Sequence, residues 1–148
     1  MQVKHDSFPP VAVYPCVTVH ALADAVAALA PGRPVTLLSA PGAACYAGCG
    51  FWRALVAAAR RRHPATPMRD ILDCADAAGR AMEALRIGQP ALVLLRSCPA
   101  YDAVGAAAAE CGTLLLFERP AALDLSAPGA SRRLAAWLGC QEGRSLLG

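Results

Sequence analysis

The feature that most constrains this chain is a rhythm. Five short apolar or β-branched runs, Cys16–His20, Val35–Ser39, Asp70–Cys74, Ala91–Leu95 and Thr113–Phe117, alternate with alanine-rich helical stretches. The repeat of roughly twenty residues is the length of a tight strand–helix unit. Helices are predicted over Ala21–Ala30, from about Phe51 to Arg62, over Ala77–Ile87 and over Tyr101–Cys111. Pro31-Gly32, Pro64, Gly88 and Gly112 supply the stops. A last short helix is predicted over Ser131–Leu138, with Ser131 as its N-cap.

The fourth and fifth runs are apolar at nearly every position, as strands buried on both faces are. The expected fold is therefore α/β: a single three-layer Rossmann-like or flavodoxin-like sandwich of about five mostly parallel strands. A sequentially ordered half-barrel is the second reading, and strand order is left open. Residues 1–15, with Pro9, Pro10 and Pro15, read as an extended arm, and 16–148 as one α/β domain closing on the short C-terminal helix.

Composition narrows the function classes. Of 148 residues, 56% are hydrophobic and 17% charged, which is too apolar for a disordered chain. The net charge is +3, and the one dense basic run, Arg60-Arg61-Arg62-His63, falls at a predicted helix C-terminus, where cations complement the dipole. No aromatic residues interleave with the arginines, so nucleic acid is not an expected partner. No apolar run reaches the ~20 residues of a membrane span, and no membrane partner is expected. The polar start, Met-Gln-Val-Lys-His-Asp, and an odd count of seven cysteines lead us to expect reduced thiols and a cytoplasmic location.

In open parallel sheets, ligands bind outside the carboxyl ends of the strands. That rim carries His20, Ser39, Asp73, Asp76, Cys98 and Glu118-Arg119. The loop from Ser39 to Gly50, with Gly42, Gly48, Cys49 and Gly50, could bring backbone N–H groups to an anion at the start of a helix. Gly48-Cys49-Gly50 begins a dinucleotide fingerprint, but Arg53 stands where Gly or Ala is needed, and no Gly-Lys-Ser/Thr follows. No particular cofactor is indicated. Cys45 and Cys49 form one pair at non-zinc spacing, so no metal site is expected. A thiolate at either position would be stabilised by the helix dipole. Asp76 is placed to cap the following helix.

The stretch from Asp70 to Leu95 resembles one strand–helix unit of aldolase-like barrels, a strand-end acid followed by an A-x-x-A-L-x-x-G helix. The likeness covers that unit alone and carries no family assignment. The expected function is binding of a small anionic or phosphate-bearing ligand, or assembly, without catalysis. The alternative is a small enzyme using Asp73 with Cys49 or His20. A mean hydropathy of +0.39 further suggests a homodimer, through the arm (Val11, Val13, Tyr14) and the last helix (Leu134, Trp137, Leu138).

Overall fold

A computed structural model describes residues 14–139, so the arm up to residue 13 and the tail from residue 140 lie outside the described residues. In chain order the elements are β1 (Cys16–Val19), α1 (Leu22–Leu29), β2 (Val35–Ser39), α2 (Ala43–Tyr46), α3 (Cys49–Arg62) and β3 (Met68–Asp73). They continue with α4 (Ala78–Arg86), β4 (Ala91–Val93), α5 (Tyr101–Cys111), β5 (Leu114–Leu116), β6 (Ala122–Asp124) and α6 (Ala130–Gly139). The chain is the expected α/β fold, Rossmann-like in joining parallel strands through helices. Its single sheet has six strands among the described residues rather than about five, in the order β5-β4-β3-β2-β1-β6. Every pairing is parallel.

A sheet whose neighbours follow in sequence, joined by right-handed crossovers, puts its connecting helices on one face. Accordingly α1, α3, α4 and α5 pack side by side in that order. Their buried residues share one hydrophobic cluster with Val17, Leu37, Leu72, Leu92 and Leu123 of the sheet. The alternate strand residues, Cys16, Leu38, Ile71, Ala91 and Val93, form a second cluster on the other face.

The link from β5 to β6 shows that the sheet is curled. Leu116 and Ala122 stand at opposite edges, six residue steps apart. Extended chain covers ~3.6 Å per step, or about 22 Å in all. Six flat strands at ~4.8 Å spacing would separate the edges by about 24 Å. The pairing register also sets Ala122 four residues behind the level of Leu116, which adds ~13 Å along the strands. A flat sheet cannot be bridged this way. The edges must approach, giving a trough whose convex side carries the helices.

Several local details follow from packing. Trp52 is buried and Phe51 exposed, as two adjacent residues on one helix must divide. Trp52 Nε1 donates to Asp70 Oδ2 at 3.0 Å and Gln89 Nε2 donates to the same oxygen at 2.9 Å. Arg53 completes this buried junction between α3 and β3.

Three sequence expectations are corrected. Helix α4 starts at Ala78 with Ala77 as N-cap and no side-chain cap, so Asp76 does not cap it. The turn there is already closed by Asp73, whose Oδ1 accepts the Ala75 N–H at 2.8 Å. Helix α6 starts at Ala130, which places Ser131 inside its first turn. Finally, the helix offered as an interface is packed on its own chain. Leu134 and Leu138 are buried in the main core, and Trp137 Nε1 donates to the Cys16 carbonyl at 2.7 Å.

Candidate functional site

The carboxyl ends of the strands form two neighbouring but distinct sites, one on each side of the sheet. Alternation decides which residue enters which. Ile71 faces the trough and Leu72 the helices, so Asp73 turns into the trough. There the link between the edge strands delivers Arg119. Its Nη1 donates to Asp73 Oδ2 at 2.7 Å and to the Ser39 carbonyl at 2.9 Å, and its Nη2 donates to Thr18 Oγ1 at 3.3 Å. One guanidinium thus joins the ends of β1, β2 and β3. Asp73 is 2% exposed, and its second oxygen is occupied by the Ala75 amide. Both carboxylate oxygens are committed to the protein.

Ala75 adopts φ 50°, the left-handed region that ordinary side chains avoid. The strain is held from both sides, by Asp73 at its N–H and by the Leu95 N–H donating to its carbonyl at 2.8 Å. Gly42 passes close by: a Cβ there would stand 3.7 Å from the Ala75 Cβ.

On the helical side a small cleft opens between the ends of β1 and β2 and the start of α3. Its lining includes His20, Ser39, Tyr46, Gly48, Phe51 and Trp52. The volume is ≈ 40 Å³, enough for one small polyatomic ion and far too little for a nucleotide. Gly48 has φ 94°, and the backbone turns there directly into α3. The first amides of a helix have no acceptor within it and carry the positive end of its dipole.

His20 stands at the edge of this cleft with its orientation fixed. Its Nε2 donates to Asp124 Oδ1 at 2.8 Å, and its backbone N–H donates to Asp24 Oδ2 at 2.9 Å. Asp124 accepts further bonds from the Ser126 amide at 2.9 Å and hydroxyl at 2.7 Å. Burial would raise this carboxyl, but the Ser126 hydroxyl, the Ser126 amide and His20 outweigh it and hold it below the usual value.

The residues singled out from sequence therefore separate. Ser39 and Gly48 share the cleft, while Gly42 sits where the loop approaches Ala75. Ser39 also touches the other site, because its Oγ accepts the Asp73 amide at 2.9 Å. Gly50 is exposed in the first turn of α3 and Asp76 is exposed beyond β3. Cys98 is buried in the turn before α5, where its carbonyl accepts the Tyr101 N–H at 3.0 Å. Cys49 is buried under α4, its Sγ 3.4 Å from the Arg80 carbonyl. Burial, reinforced by the Glu83 charge, pushes that thiol up, opposite to the lowering expected from its place at a helix start. Burial likewise lifts Cys16 to about 11 and Cys74 to about 12.

The sequence reading placed Arg119 on the rim without a role, and passed over Asp124 entirely. Neither carries a motif; both act through strands distant in sequence. Among the described residues no helix is long and apolar enough to cross a membrane. No group of three or more His, Cys, Asp or Glu side chains among them is placed to hold a metal ion. No known protein family and no curated protein matches this chain.

Proposed function

We propose that the chain binds a small anion, of phosphate or carboxylate size, in the cleft between β1, β2 and the start of α3. The observation that carries this is the pairing of a cleft of ≈ 40 Å³ with Gly48 at the opening of a 14-residue helix. His20 lies at the same edge, whereas the Ser39 hydroxyl is spent within the protein, donating to the Ala40 carbonyl at 3.1 Å and accepting the Asp73 amide at 2.9 Å. Binding is preferred to catalysis because the residues an enzyme would need are committed elsewhere. Asp73 is tied to Arg119 on the far side of the sheet, and Cys49 is buried beneath α4. A cytoplasmic location fits six free thiols among the described residues. A homodimer could use the exposed aromatics of the carboxyl rim, Tyr46, Phe51 and Phe117, in place of the terminal helix, which is spent on its own core.

Titration of the ¹⁵N-labelled protein with inorganic phosphate tests the ligand site. The largest saturable amide shifts are expected at Cys49, Gly50 and Phe51, since the Gly48 N–H already donates to the Ala43 carbonyl. Shifts centred instead on Arg60–His63, or no saturation, would rule the cleft out.

A further inference from the structure

Helix α3 and the loop after it carry charge of one sign. From Cys49 to Arg69 the chain holds Arg53, Arg60, Arg61, Arg62 and Arg69, and no aspartate or glutamate. Surface helices ordinarily interleave the two signs at i,i+3 and i,i+4. Here Arg53, Val56, Ala57, Arg60, Arg61 and Pro64 follow one another at spacings of three, one, three, one and three along a single stripe, and they line an open groove of ≈ 520 Å³. Arg53 is engaged with Asp70 at one end. Arg60 and Arg61 are exposed at the other and form no ion pair among the described residues. The helix dipole favours cations in the last turn. It accounts for the arginines there, but not for the exposed Ala57 and Pro64 set beside them on the same stripe.

The geometry points to this groove as the docking site for an acidic peptide segment of a partner protein. Its carboxylates meet Arg60 and Arg61, which present forks suited to bidentate pairing, and an apolar side chain lies against the exposed Ala57 and Pro64. The chemistry favours peptide over nucleic acid. The basic stripe is one helix wide and about 16 Å long, and among the described residues no aromatic side chain lines the groove on which a base could stack. The surface is separate from the anion cleft at the other end of α3, so the two proposals stand or fall independently.

The test uses a fluorescein-labelled eight-residue glutamate peptide with one central leucine, read by anisotropy against the full chain. We expect saturable binding that weakens roughly tenfold in the double variant Arg60→Glu, Arg61→Glu. The matched reversal on α6, Arg132→Glu with Arg133→Glu, changes net charge equally and should shift binding by less than about twofold. Because charge reversal disfavours the end of α3, the neutral pair Arg60→Gln, Arg61→Gln is measured beside it and should weaken binding severalfold. Replacing the leucine by serine should also weaken binding. Equal losses in the α3 and α6 reversals would overturn the proposal, leaving only non-specific attraction. So would tighter binding of a thymidine oligonucleotide, or of phosphatidylserine vesicles, lost in the same Arg60/Arg61 variants.

Discussion

Arg119 donates to Asp73 at 2.7 Å, so a residue on the link between the two edge strands secures a carboxylate at the middle of the sheet. Removing the cation leaves that carboxylate buried without its counter-charge. Arg119→Ala should lower unfolding stability by about 3 kcal/mol. The double variant Asp73→Ala, Arg119→Ala should lose less than the sum of the two single variants. Urea denaturation of all four proteins measures the coupling, and strict additivity would mean that the pair does not act as a unit.

Two opposite substitutions should both stabilise. Ala75 occupies left-handed backbone at φ 50°, where glycine is at ease, so Ala75→Gly should raise stability by up to about 1 kcal/mol. Gly79 lies inside α4, and an added Cβ there meets nothing within 4 Å. Gly79→Ala should gain about 0.5–1 kcal/mol. Thermal melts of both variants check the signs; a loss at Gly79 would point to a need for its flexibility.

Thiol reactivity should follow exposure rather than the helix dipole. Cys45 and Cys111 are exposed, whereas Cys16, Cys49, Cys74 and Cys98 are buried. Brief alkylation of the native protein, mapped by mass spectrometry, should label the first two well ahead of the other four. Early labelling of Cys49 would show that α4 lifts away from it in solution.

Alkaline pH should weaken the fold. The ordinary thiol value of 9.0 rises to about 11 for Cys16 and about 12 for Cys74 in the folded chain. Above pH 9.0 the unfolded chain releases these protons while the folded chain keeps them, so stability falls as pH rises toward the folded values. Below pH 9.0 the contribution is intact. The loss should reach roughly 2 kcal/mol per thiol by about pH 11. Denaturation midpoints across that range measure it, and Cys74→Ala should flatten the decline.

Much of the fold was legible because the signals were local. Val35–Ser39 lies where its apolar run predicts, and β4 and β5 fall inside their predicted runs. Strand β6 was not legible. Ala122-Leu123-Asp124 offers one large apolar residue just after Pro120, too short a pattern to announce a strand, and its place is set by pairing with β1. The site was half legible for a related reason. Ser39 and Asp73 both end strands, yet they enter opposite faces, because β2 and β3 pair with Leu38 opposite Ile71. That register sets Ser39 level with Leu72, one residue short of Asp73, and one residue is enough to change sides. No reading of either strand alone contains the offset.

The pairing of β1 with β6 has a consequence for how the chain is made. Strands β1 to β4 each pair with the strand that follows them in sequence, so that part of the sheet can grow in the order of synthesis. Cys16 meets Ala122 only after more than a hundred further residues have emerged. Until then one edge of β1 stays unpaired, and the costliest loop closure comes last. Of the described strands, β1 is synthesised first and completes its pairing last.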